Sequence, residues 1–124
     1  LEFSCNLAPL HVTYRYASSL GLVINELITN VFKHAFNGRQ QGKLSVQGIV
    51  NNEQYILIIM DDGLGFPKNY SDSTNTGFGM RMVEQLVNQC SGKIEISSAF
   101  NAGFTSDPAQ PGTCVTITFP INKS

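Results

Sequence analysis

The chain has 124 residues, 42% of them hydrophobic and 14% charged, which is one domain's length with enough apolar material for a buried core. Its net charge of −1 leaves no basic footprint for nucleic acid or anionic lipid, and its longest apolar run, Tyr55 to Met60, is strand-sized and too short to span a bilayer. Cys5, Cys90 and Cys114 are odd in number, widely spaced and without histidine at ligand spacing, so they read as buried or bystander thiols in a reducing compartment rather than a disulfide framework or zinc site.

In chain order, Glu2 to Val12 is short and mixed, interrupted by Pro9, and reads as an edge strand or an extended lead-in. A long helix follows from roughly Tyr14 to Phe36, ended by the Asn37-Gly38 pair. Lys43 to Val50 alternates, with Leu44, Val46, Gly48 and Val50 on one face, and Asn51-Asn52 reads as a hairpin turn. Tyr55 to Met60 is apolar on both sides, which predicts a central strand. The polar stretch from Phe66 to Thr76 reads as a loop. A second helix is expected from about Phe78 to Cys90, with Met82, Val83, Leu86 and Val87 inward and Ser91-Gly92 as its stop. Two strands, Lys93 to Ala99 and Thr113 to Pro120, flank a last loop to which no function is attached.

These elements predict an α/β (α+β) two-layer sandwich, with a mixed sheet of about four or five strands and two or three helices on one face. The chain is expected to form a single domain over residues 1–124, soluble and cytoplasmic. It begins at Leu1 without Met and shows no signal-peptide pattern, and it reads as a piece excised from something longer.

Three local patterns carry chemistry. On the first helix, at about 100° per residue, Glu26, Asn30, Lys33, His34 and Asn37 fall on one side, with Leu20, Ile24, Leu27, Ile28, Val31 and Ala35 on the opposite side. A carboxylate, an amide, an ammonium and an imidazole can converge on one ligand there, although a solvated surface stripe would look similar. Asp61-x-Gly63-x-Gly65 stands at the exit of the central strand. Its glycines let backbone approach a ligand, and a carboxylate suits adenine, whose N6 donates where guanine has an acceptor; a simple tight turn would also use these residues. Thr76-Gly77-Phe78-Gly79-Met80 opens the second helix, where free N–H groups form an anion site suited to phosphates.

In this order the three patterns resemble the ATP-binding domain of the Bergerat-fold superfamily, which includes sensor histidine kinases, type II topoisomerases, heat-shock chaperones and mismatch-repair ATPases. Asn25-Glu26-Leu27-Ile28-Thr29-Asn30 with Lys33-His34-Ala35-Phe36 resembles the N-box, Asp61 to Gly65 the G1 box, and Gly77-Phe78-Gly79-Met80 the G2 box. The N-box, together with Gly112-Thr113-Cys114-Val115-Thr116-Ile117-Thr118-Phe119-Pro120, is similar to a branch of bacterial sensor histidine kinases. The resemblance covers about Ala17 to Pro120. Val31 departs from a commoner alanine, and the loop from Phe66 to Thr76 is short and carries no recognisable aromatic F-box.

The resemblance implies ATP and Mg²⁺ as cofactors. Asn30 would ligate Mg²⁺, and Glu26 would hold a metal-bound water or act as general base. Lys33 and His34 would face the phosphates. Asp61 would read adenine N6, directly and through a water shared with Thr113, while Gly63 and Gly65 pass over the base and Gly77, Phe78, Gly79 and Met80 bring amides to the phosphates. His11 and His34 are poor phosphoacceptors, one in a Pro-flanked segment and one inside the N-box, so the nucleophile is expected on a separate helical dimerisation domain, with a response regulator downstream. No nucleic acid and no membrane contact are expected of this domain. The alternatives are an anti-sigma-type serine kinase and a non-catalytic ATP-binding sensor module.

Overall fold

The computed structural model describes residues 2–9, 14–31, 42–63, 74–105 and 111–121, with helical side chains from Ala17 and from Arg81 onward. The described elements run β1 (Glu2–Leu7), α1 (Tyr14–Asn30), β2 (Lys43–Asn51), β3 (Gln54–Asp61), α2 (Thr74–Gln89), β4 (Lys93–Ser97) and β5 (Thr113–Pro120). The five strands form one mixed sheet in the order β1-β2-β3-β5-β4. β1 runs parallel to β2, while β2, β3, β5 and β4 pair antiparallel in turn. A parallel pair needs a crossover, and α1 lies in the connection between β1 and β2.

Central placement of β3 follows from its composition. Tyr55, Leu57, Ile59 and Asp61 are buried, and Ile56, Ile58 and Met60 on the other face are half-buried. Both helices cover the first face. Leu20, Val23 and Leu27 from α1 and Val83 and Val87 from α2 share one core with Leu44, Val46, Leu57, Ile59, Val115, Ile117 and Phe119. Each such buried Val, Leu or Ile contributes roughly 1.5–3 kcal/mol against exposure. The two-layer sandwich expected from the sequence is therefore present, and its sheet is mixed because only β1 runs parallel to its neighbour.

Several boundaries differ from the sequence reading. The β2–β3 turn is Asn52-Glu53, between the paired Asn51 and Gln54, with Asn52 at φ 58°. Asparagine tolerates this left-handed conformation, so the turn shifts by one residue. Val50, expected on the buried face with Leu44 and Val46, is 50% exposed near the end of its strand. β4 stops at Ser97 rather than Ala99, and Ala99 is wholly buried in the following turn. Among the thiols Cys90 and Cys114 are buried, whereas Cys5 is exposed on edge strand β1.

α2 begins at Thr74, ahead of the expected Phe78, which places Gly77 in its first turn and Gly79 in its second. Glycine costs a helix about 1 kcal/mol but does not forbid it. Its other end is a Schellman-type stop: Ser91 takes the left-handed φ of 60°, and Gly92 N–H donates to the Val87 carbonyl at 2.9 Å. Gly92 also allows close approach to β5, where an added Cβ would sit 2.9 Å from the Thr118 carbonyl oxygen.

Tyr55 fastens the sheet's parallel edge. Its ring stacks on Phe119 at 5.6 Å between centroids, occupies the space that any side chain at Gly48 would need, and donates its hydroxyl to the Ala8 carbonyl at 2.8 Å. Burial raises the Tyr55 hydroxyl pKa above its ordinary 10.0, with a smaller electrostatic contribution from nearby Cys5.

Candidate functional site

The alternation of β3 decides which of two adjacent carboxylates faces inward. Counting from Tyr55 in steps of two, Asp61 points with Leu57 and Ile59 and is only 4% exposed. A buried carboxylate is costly unless it is hydrogen-bonded. Asp61 Oδ1 accepts from Gly63 N–H at 2.9 Å, within the same turn. Asp62 faces the other way and serves the sheet: its Oδ1 accepts from Lys43 N–H at 2.8 Å, and its own N–H donates to the Lys43 carbonyl at 3.2 Å.

Thr113, 6% exposed, is the β5 residue opposite Asp61 in the antiparallel ladder. Just before it, Gly112 N–H donates to the Gly63 carbonyl at 3.0 Å. Asp61 and Gly63, expected together as one motif, thus meet Thr113 at one end of the sheet. Asp62 and Gly112 were not among the expected site residues. The signals were a second aspartate at a strand's exit and a glycine immediately before a strand; the glycine heads the Gly112 to Pro120 segment of the resemblance, where no role is attached to it.

Along α1 the buried line is Leu20, Val23, Leu27 and Val31, at three- and four-residue spacing. Glu26 and Asn30 are half-buried, one turn apart, beside that line and not opposite it. The difference arises from Val23, which is wholly buried and draws the apolar face toward the polar stripe. Glu26 and Asn30 therefore border the packed interior rather than standing on the solvent face, and Asn30 has an interaction partner of its own. Lys33, His34 and Gly65 lie outside the described residues. Gly77, Phe78, Gly79 and Met80 lie within α2, and their side chains are likewise outside the described set. A groove between α2 and edge strand β4, lined by Glu84, Asn88, Lys93 and Glu95 among others, includes none of the expected residues. No helix among the described residues is long and apolar enough to cross a membrane.

Residues 16–123 match the family described as histidine kinase-, DNA gyrase B- and HSP90-like ATPases. The chain belongs to this family. Within the histidine kinase-like ATPases it is 29% identical over 108 residues to blue-light-activated histidine kinase 2 of Erythrobacter litoralis, covering 86% of this chain and 28% of that protein. It is 27% identical over 108 residues to the sensor histidine kinase PdtaS of Mycobacterium tuberculosis, covering 86% of this chain and 20% of the relative. The chain thus spans under a third of the length of these relatives. The same fold occurs in the histidine kinase domain of a blue-light activated histidine kinase from Erythrobacter litoralis, with a TM-score of 0.80 and 24% identity over 97% of this chain and 54% of that one. The chain is an ATP-binding domain of the type found in sensor histidine kinases, and its five-stranded mixed sheet with two described helices is the fold of that type.

Proposed function

We propose that this histidine-kinase-like ATPase domain presents Mg²⁺-ATP to a histidine on a separate helical dimerisation domain of a longer, cytoplasmically acting sensor kinase, from which a response regulator takes the phosphoryl group. The observation that carries this reading is the buried Asp61 carboxylate, oriented by Gly63 N–H at the exit of the central strand in a chain of this ATPase family. A carboxylate fixed there accepts from the adenine 6-amino group, which guanine replaces with an acceptor oxygen. Thr113, on the neighbouring strand, offers a hydroxyl to a water shared with the base.

On the helix side, Glu26 and Asn30 each supply an oxygen donor one turn apart. No group of three or more His, Cys, Asp or Glu gathers among the described residues. That donor set suits Mg²⁺, which prefers one or two protein oxygens alongside phosphate oxygens and water, and it does not suit a caged zinc ion. When bound, Mg²⁺ offsets the charge of the phosphate chain. Asn30 would hold it through the amide oxygen, and Lys33 and His34 would face the phosphates. α2 starts at Thr74, so the N–H groups its first turn leaves free belong to Thr74, Asn75 and Thr76, and the amides of Gly77 to Met80, expected to receive the phosphates, lie further along the helix.

In the reaction the acceptor imidazole nitrogen bonds to the γ-phosphorus as the bond to ADP breaks, and Glu26 takes the ring proton. Phosphoryl transfer depends mainly on positioning and charge stabilisation, which these residues would supply.

The test is to mix the chain with γ-labelled ATP, Mg²⁺ and a separately produced phosphoacceptor domain. Label should reach that domain as acid-labile, base-stable phosphohistidine, and Glu26→Ala should reduce transfer far more than ATP binding. Acid-stable phosphoserine on a protein substrate would replace this reading with that of a serine kinase. ATP binding without any transfer would replace it with that of a sensor module.

A further inference from the structure

We propose that Gly112 is a positioning residue for base selection: the lack of a side chain there sets the direction of the Asp61 carboxylate and hence the preference for adenine over guanine. This rests on the reading of Asp61 as the group that recognises adenine.

Gly112 immediately precedes Thr113, the partner of Asp61 across the β3–β5 ladder. Its N–H donates to the Gly63 carbonyl at 3.0 Å, and Gly63 N–H in turn donates to Asp61 Oδ1 at 2.9 Å. The residue that aims the carboxylate is thus itself held by Gly112. Two separate demands fall on position 112. Its φ is +66°, in the left-handed region, and a Cβ built on it would fall on the Asp61 carbonyl oxygen, 3.0 Å from the carbonyl carbon and 3.1 Å from the Ala99 Cβ. From the far side Ala99, wholly buried, closes the space, and Phe100 N–H ties the preceding turn to the Pro111 carbonyl at 2.8 Å.

Gly103 in the same connection separates the two demands. It has φ +81° and, among the described residues, nothing within 4 Å of an added Cβ, so the demand seen there is the left-handed conformation. At Gly112 any Cβ must displace either the Asp61 carbonyl or the Gly112–Gly63 hydrogen bond, because Ala99 blocks retreat. Both displacements move Gly63 N–H, the donor that orients Asp61. A carboxylate turned away from the base loses its bond to the adenine amino group and no longer repels the guanine oxygen.

The experiment measures affinities for ATP and GTP by competition against a fluorescent nucleotide, with thermal melting alongside, in the wild-type chain and in Gly112→Ala, Ala99→Val, Gly103→Ala and Asp61→Asn. Gly112→Ala should weaken ATP about tenfold or more and bring the ATP-to-GTP ratio toward one, the size expected for a lost hydrogen bond to a charged group. Ala99→Val keeps the glycine but presses on it, and should lower the ratio in the same direction by less. Gly103→Ala should lower the melting temperature and leave the ratio unchanged. A folded Gly112→Ala with the wild-type ratio overturns the proposal, as does Gly103→Ala lowering the ratio equally. If Gly112→Ala does not fold, Ala99→Val decides: a lowered ratio supports the proposal and an unchanged ratio overturns it. Asp61→Asn separates the two levels. If it leaves the ratio unchanged, the adenine reading fails and this inference with it; if it lowers the ratio while Gly112→Ala does not, only the role of Gly112 fails.

Discussion

At the carboxyl end of β3 the backbone positions the site, whereas along α1 the helix's own burial pattern does so. Asp61 is held from its own turn by Gly63 N–H, with Thr113 beside it across the ladder, so its orientation depends on main-chain hydrogen bonds between two strand ends. Glu26 and Asn30 stand beside the line of Leu20, Val23, Leu27 and Val31, and their direction follows from how that line packs. On the proposed reading the first would recognise the flat base, and the second, bordering a helix packing surface, the charged phosphate chain.

Substitutions that break the two regions separately should give different losses. The largest is expected on the helix: Glu26→Ala should slow phosphoryl transfer to a supplied acceptor domain by about 100-fold or more, the usual size for loss of a general base, while calorimetric ATP affinity changes little. Next comes Asp61→Ala, for which titration should show ATP binding weakened by roughly 10- to 100-fold whether or not Mg²⁺ is present. Asn30→Ala should weaken binding by about tenfold in Mg²⁺ and leave it unchanged in EDTA, as befits a metal contact.

Asp62→Ala sharpens the contrast with its neighbour. It removes the carboxylate that accepts from Lys43 N–H, so chemical denaturation should report a loss of about 1 kcal/mol, with ATP affinity as in the wild type. The smallest effect belongs to Tyr55, far from either region. Its folded pKa is raised by burial, so above pH 10 the unfolded chain loses this proton first and stability falls as pH rises toward the folded value. Tyr55→Phe should remove that part of the alkaline loss in pH-dependent denaturation, and it should also weaken the tie between β3 and Ala8.

Local chemistry made much of this readable beforehand. The double-sided apolar run of β3 fixed its place at the sheet's centre, whereas the inward direction of Asp61 rather than Asp62 comes from the burial seen along the folded strand. The parallel pairing of β1 was not readable, because all six of its residues are exposed and so carry no burial pattern. The start of α2 was misplaced because Gly77 and Gly79 look like a helix opening, yet a helix can run through them at modest cost. The polar stripe of α1 was identified, but its distance from the core was not, since wheel geometry alone cannot say that Val23 is a centre of packing. Gly112 was hidden for a different reason: its necessity comes from contact with Asp61 and Ala99, which only the folded sheet brings together.

The central claim is that Asp61 and Asn30 contact two ends of one nucleotide. It is tested most directly by calorimetric titration of a non-hydrolysable ATP analogue into the wild-type chain, Asp61→Ala and Asn30→Ala, each with and without Mg²⁺. The account predicts that Asp61→Ala binds weakly under both conditions and that Asn30→Ala binds weakly only with Mg²⁺. Wild-type affinity in both variants under both conditions would contradict it.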